Sequence, residues 1–200
     1  MSKAEEKKQH IIERAAILFN EKGIAGTSVD EIIAAANTSK GCFYGHFESK
    51  EEIAQDAVDL LFKKLTDRRT ITFNKHTTAI AKLGAFMDNN KNPLASYIDG
   101  GCPIVNFSTE ADDTNPVIKK KVKTMVDTTI SLFTNIIQDG IDSGELSDTI
   151  IPNEFATRML VSIEGANAIC RVLNSTKPML MTINSLKAEL ASYAKVTQNL

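Results

Sequence analysis

Thr27-Ser28-Val29-Asp30-Glu31-Ile32-Ile33-Ala34-Ala35-Ala36-Asn37-Thr38-Ser39-Lys40-Gly41-Cys42-Phe43-Tyr44-Gly45-His46-Phe47 is the stretch on which the fold turns. A helix starts at Thr27 or Ser28, with Val29, Ile32, Ile33 and Ala36 recurring at three and four residues, the helical period. Thr27 with Asp30 resembles a capping box, although Asp is shorter than the usual Glu. Asn37-Thr38 interrupts, and Ser39 is placed to cap a second helix over Lys40 to His46. Phe43 and Phe47 lie four apart and are expected to pack inward against Leu18, Phe19 and Ile32, while Lys40, Tyr44 and His46 project outward. Ser39, Gly41 and Cys42 are small, so this end of the helix can enter a major groove without collision. Two short helices joined by a tight turn form a helix-turn-helix.

Moving outward, an amphipathic helix is predicted over about Glu5 to Lys22, with Ile11, Ala15, Leu18 and Phe19 on one face and Gly23 as its stop. Downstream, Glu48-Ser49-Lys50 is a break, with Ser49 and Glu52 as the next capping box, and a long helix follows to about Arg69. Further helices are expected over about Thr77 to Met87 and from near Pro93 to about residue 109. The latter meets Gly100-Gly101-Cys102-Pro103, where a break is expected because Pro lacks a donor. Asn115-Pro116 opens the clearest long helix, with Asn as cap and Pro at the first position. It runs to about residue 143 and carries two apolar stripes, which means burial on more than one side. Gly144 and Pro152 bracket a loop, and two last helices cover about Asn153 to Leu173 and Pro178 to Val196. Period-two runs are missing, so the fold class is all-α.

Composition bounds the function. Two hundred residues, 42% apolar and 24% charged, exclude a disordered chain, a fibre and a disulfide-dense miniprotein. No run of about 18 apolar residues suggests a membrane span. The first residues, Met1 to Lys8, lack the apolar core of a secretion signal, and three irregularly spaced cysteines suit a reducing compartment. A cytoplasmic protein is expected. A net charge of -2 excludes a basic coat for nucleic acid but leaves room for a local basic contact. His10, His46 and His76 are scattered without metal-ligand spacing, so no metal is expected. No phosphate loop, nucleophile elbow or paired His/Cys arrangement appears, so neither a cofactor nor a catalytic set is assigned. Lys119-Lys120-Lys121-Val122-Lys123 reads as a solvated helix face. Glu110, Asp112 and Asp113 read as capping and complementing the dipole of the next helix.

Thr27-Ser28-Val29-Asp30-Glu31-Ile32, Ser39-Lys40-Gly41, Phe43-Tyr44, His46-Phe47 and Ser49-Lys50-Glu51-Glu52 together resemble the DNA-binding domain of the tetracycline-repressor (TetR) family. The likeness covers about residues 8 to 55. Beyond it the chain is similar mainly in length and helical pattern. Gly101-Cys102-Pro103 followed by Glu110-Ala111-Asp112-Asp113 looks like a subgroup of such regulators, and Glu164-Gly165-Ala166 is similar to some members. The resemblance implies a helix-turn-helix DNA-binding domain over 1–50, then a helical effector-binding and dimerisation domain over 51–200. Position by position it gives Thr27 and Ser28 a phosphate role, Ser39, Lys40, Gly41 and Cys42 the base-facing end, and Tyr44, His46 and Lys50 the backbone clamps. The sequence departs from the family pattern at three positions. Asn37 stands where Gly is common but tolerates the left-handed conformation. Gly45 replaces an often aromatic residue. Cys42 is a weak donor, so reading there falls to shape or to contact with a thymine methyl.

The reading that follows is a transcriptional repressor that binds a palindromic operator as a homodimer and is released by a small molecule of unassigned identity. The alternative is an all-α small-molecule-binding protein or enzyme without specific DNA binding. Dimerisation is expected through the last two helices, on stripes Met159, Ser162, Ile163, Ala166, Cys170 and Ile183, Leu186, Leu190, Tyr193; the competing reading is that these stripes close the monomer's own core. Expected effector-lining residues are Phe62, Phe86, Phe107, Met125, Phe133 and Leu160, with Asn106 and Glu164 as polar anchors and Cys102 at the helix break. Cys102 is also a candidate redox or electrophile sensor, since unpaired N–H groups at a break favour thiolate. No cation adjoins it in sequence, and plain packing is the competing reading.

Overall fold

The computed structural model describes residues 2–195, of which no part is a β-strand. The described elements are α1 (Lys3–Lys22), α2 (Val29–Ala35), α3 (Lys40–Tyr44), α4 (Lys50–Phe73), α5 (Ala79–Asn89), a 3-10 turn (Pro93–Ala95), α6 (Pro103–Ala111), α7 (Pro116–Asp142), α8 (Pro152–Leu173) and α9 (Lys177–Ser192). The all-α expectation stands. The expected end of the last helix, Val196, lies outside the described residues.

Local chemistry explains the ends, and several differ from expectation. The capping box of α2 is Ser28 with Glu31, not Thr27 with Asp30. Glu31 is long enough to reach back to the Ser28 N–H at 2.8 Å, while Thr27 turns its hydroxyl inward to the Gly23 carbonyl at 2.7 Å. α3 stops at Tyr44 rather than His46, with Gly45 as its C-cap. Ser49 caps α4 by accepting the Glu52 N–H, but the Glu52 carboxylate takes the N–H of Glu48 instead of Ser49. α4 then runs one turn past Arg69. The helix expected from Pro93 is only a 3-10 turn, and the break at Gly100-Gly101-Cys102 is complete, so α6 starts afresh with Pro103 at N1. Asn115 Oδ1 accepts the Ile118 N–H and caps α7.

Contacts gather the chain into two compact units. One comprises residues 1–66 and 96–125, the other 67–95 and 126–200. The long helices α4 and α7 each contribute to both. In the first unit Ile11, Ala15, Phe19, Ile32, Phe43, Phe47, Ile53 and Ala57 are buried, so α1 and the start of α4 supply the surface on which the helix-turn-helix sits. The second unit is built on an apolar cluster from α5, the latter part of α7, α8 and α9. Its centre is aromatic, with the Phe86 and Phe133 ring centroids 4.7 Å apart and Phe73 edge-on to Phe133. α8 and α9 pack along one another through a turn in which Asn174 takes the left-handed conformation.

Candidate nucleic-acid interface

The helix-turn-helix owes its shape to two caps and one left-handed residue. Ser28 and Ser39 open α2 and α3, each accepting the N–H three residues on. Asn37 has φ +46°, the conformation that makes the turn tight and that Asn tolerates. Phe43 and Phe47 are fully buried, with ring centroids 5.5 Å apart, and Lys8 lies 5.1 Å over the Phe47 ring. α3 is thereby locked on its inner side. Its outer side exposes Ser39, Lys40, Gly41 and Tyr44, with Cys42 and His46 half-buried beside them. Nothing lies within 4 Å of the place a Gly41 side chain would occupy, so this end is open to a bulky partner.

Two of the expected phosphate-binding residues turn inward. Thr27 is 1% exposed, and its hydroxyl bonds to Gly23 O. Lys50 donates to the carbonyls of Ile24 at 2.8 Å and Thr27 at 3.0 Å. Both residues therefore shape the turn that precedes α2, which corrects the expectation that their side chains clamp DNA. Ser28 stays exposed. Beside it, Glu31 forms an ion pair with Lys22 at 2.8 Å. The hydrogen bond from Lys22, aided by those from Ser28, lowers the Glu31 carboxyl to about 2.

The expected effector-lining residues divide between the two units. In the first, Phe62 and Phe107 meet edge-on at 6.5 Å, and Met125 is buried. In the second, Phe86, Phe133 and Leu160 belong to the apolar cluster, and Glu164 is half-buried on α8. Asn106 does not point a free amide at a ligand. Its Nδ2 donates to Asn20 O at 2.9 Å, Asn20 Oδ1 at 3.1 Å and Gly100 O at 3.1 Å. Cys102 is the half-buried N-cap residue of α6. Glu110 caps no helix of its own, contrary to expectation, but accepts the N–H groups of Ile24 and Ala25. Lys119 pairs with Asp112 and Lys121 with Asp59, which leaves the lysine run a solvated, internally paired face.

Residues that sequence reasoning passed over include Asn20, buried beside Ala16 and Phe19, and Arg69, buried and bonded to Thr129 Oγ1 at 2.7 Å. A polar residue on the apolar stripe of α1 was the available signal for Asn20. The stripes expected to form a dimer seam are largely interior: Met159, Ile163, Cys170, Ile183 and Leu190 are buried in the chain's own core. What α8 and α9 expose is the adjacent stripe, with Val161, Ile169 and Met181 each more than half exposed. These residues border an open groove of about 610 Å³ whose floor includes Ser162, Gly165 and Ala166. Among the described residues no His, Cys, Asp and Glu side chains gather to hold a metal ion, and no helix is long and apolar enough to cross a membrane.

Comparison with known proteins agrees with this architecture. Residues 11–57 match the model of bacterial regulatory proteins of the tetR family, and residues 79–186 match the tetracyclin repressor-like C-terminal domain. The HTH-type transcriptional repressor DhaR of Mycobacterium sp. strain GP1 is 28% identical over 173 residues, covering 86% of each chain. A TetR transcriptional regulator from Chloroflexus aurantiacus superposes with a TM-score of 0.93 at 30% identity, covering 98% of this chain and all of that one. A TetR-family regulator from Cytophaga hutchinsonii gives 0.91, also at 30% identity, over 98% and 99% of the two chains.

Proposed function

The chain belongs to the tetR family of DNA-binding transcriptional regulators, and we propose that it is a repressor acting as a homodimer on a palindromic operator. The observation that carries this reading is α3 itself. Buried Phe43 and Phe47 fix it from behind, while Lys40, Gly41 and Tyr44 face solvent in front. A side-chain-poor, rigidly backed helix of this kind fits a major groove. Lys40 and Cys42 are the base readers, and Ser28, Tyr44 and His46 hold phosphates that set register. Thr27 and Lys50 serve by shaping the turn. In functional terms residues 1–50 read DNA, and 51–200 dimerise and receive an effector.

The α8–α9 groove supports the dimer. Exposed Val161, Ile169 and Met181 around small residues make a self-complementary surface that two helices from each of two chains would bury as a four-helix seam. An effector releases DNA by binding more tightly to a dimer whose recognition helices are wrongly spaced.

A gel shift with the DNA flanking the chain's own gene, beside sedimentation of the free protein, tests this reading. Retarded DNA at physiological salt and a two-chain species are expected, and Val161→Glu with Met181→Glu should leave single chains that no longer retard it. Binding indifferent to sequence, or a wild type that sediments as single chains at micromolar concentration, contradicts it.

A further inference from the structure

The turn that leads into α2 is held from two remote parts of the sequence. Glu110, near the C-terminal end of α6, accepts the Ile24 N–H through Oε2 at 3.0 Å and the Ala25 N–H through Oε1 at 2.7 Å. From the opposite direction in charge, Lys50 binds the carbonyls of Ile24 and Thr27. Four backbone groups of residues 24–27 are thus fixed immediately before the Ser28 cap of α2. One turn earlier on α6, Asn106 grips the C-terminal end of α1 through Asn20, and Asn20 Nδ2 returns bonds to the carbonyls of Asp99 at 2.6 Å and Gly101 at 3.0 Å.

Two glycines make these approaches feasible. A Cβ on Gly100, at φ +88°, would stand 2.7 Å from the Asn20 carbonyl oxygen, and one on Gly23, at φ +82°, would stand 3.2 Å from both Glu110 oxygens. Asn106 and Glu110 are four apart and share a face of α6. The pattern Gly100-Gly101-Cys102-Pro103 with Asn106 and Glu110 is therefore one device, a clasp on the end of α1 and the turn after it.

We propose that Asn106 and Glu110 are positioning residues for DNA reading: through them α6 fixes the entry angle of α2, and with it the register of α3 against the operator. The inference rests on the reading of this chain as an operator-binding protein. α2 and α3 have 7 and 5 residues, too short to hold an orientation by themselves. Bonds between a carboxylate and backbone N–H groups are the stronger, directional kind that can supply what short helices lack. Base readout needs that precision, whereas attraction to the phosphate backbone does not.

The test uses the full chain, a duplex recovered by the wild type from a random-sequence pool, and a scrambled duplex of equal length at equal salt. Glu110→Ala should bind the recovered duplex about tenfold more weakly while holding the scrambled one no less tightly. Glu110→Gln keeps one acceptor oxygen and should fall between, and Asn106→Ala should show a smaller loss of the same kind. Amide exchange at Ile24 and Ala25 should rise in Glu110→Ala. Specific and scrambled affinities falling together, or all three variants binding the recovered duplex within about twofold of the wild type, would overturn the proposal. A wild type that recovers no preferred duplex defeats the operator reading and this proposal with it. A wild type with a preferred duplex and unaffected variants defeats the positioning role alone.

Discussion

Glu110 and Glu145 perform the same local chemistry in the two units, yet in different surroundings. Each carboxylate accepts two consecutive backbone N–H groups from a segment far away in sequence. Glu110 takes Ile24 and Ala25; Glu145 takes Ala79 at 2.7 Å and Ile80 at 2.9 Å, at the start of α5. Around Glu110 the remaining grips are polar and directional, supplied by Asn20, Asn106 and Lys50. Around Glu145 lies the apolar cluster of Leu83, Phe86, Phe133 and Ile137, which holds α5 whatever the carboxylate does. Apolar packing is non-directional and tolerates substitution provided volume is kept. A DNA-reading surface needs particular atoms in particular places.

The largest expected effect probes the apolar side. Phe133→Ala removes a fully buried ring and should cost about 3–5 kcal/mol in chemical denaturation, while the protein that remains folded still binds its duplex. A cost under about 1 kcal/mol would mean that the cluster does not hold this unit. Next is Glu145→Ala, which leaves two N–H groups of α5 without their acceptor. It should cost about 1–3 kcal/mol of stability and leave DNA affinity unchanged. The comparison breaks if Glu145→Ala weakens specific binding as much as Glu110→Ala does.

A smaller effect is expected on the exposed front of α3. Tyr44→Phe removes a hydroxyl assigned to phosphate and should weaken binding by about 0.5–1.5 kcal/mol, equally for matched and mismatched duplexes. A loss confined to one base position would make Tyr44 a base reader instead.

The smallest effect concerns pH. The Lys22 hydrogen bond and the Ser28 cap hold the Glu31 carboxyl at about 2, below the ordinary 4.5. A depressed carboxyl contributes stability that is present above about 4.5 and lost as pH falls toward 2. The Glu31 side chain is 41% exposed, so the effect is screened and modest. Glu31→Gln should flatten the acid side of the stability profile of α2, read by amide exchange at Glu31 and Ile32. An unchanged profile would show that other carboxylates carry it.

Legibility in the sequence followed the same division. The helix-turn-helix announced itself because its determinants are local: the cap at Ser39, the turn residue Asn37, and Phe43 and Phe47 at helical spacing, with the cap of α2 alone falling one residue later than Thr27. What escaped was mostly non-local. Thr27 and Lys50 match the family's DNA-contacting pattern, but Lys50 meets carbonyls 23 and 26 residues earlier, and Thr27 turns back to Gly23 in a bond that helical periodicity does not report. Glu110 looked like a helix cap because its partners lie 85 and 86 residues away. On α8 the helical period was plain but its phase was not. Met159, Ile163 and Cys170 follow the same spacing as the exposed stripe one step round the helix, and only tertiary packing tells which stripe is interior.

If two copies of this helix-turn-helix read DNA together, the wild-type chain selects from a random pool of duplexes a palindrome whose half-sites are centred about one helical turn apart, or a whole multiple of it, bound by an even number of chains. Enrichment of a single non-palindromic half-site by one chain, or no enrichment at all, would contradict that joint reading.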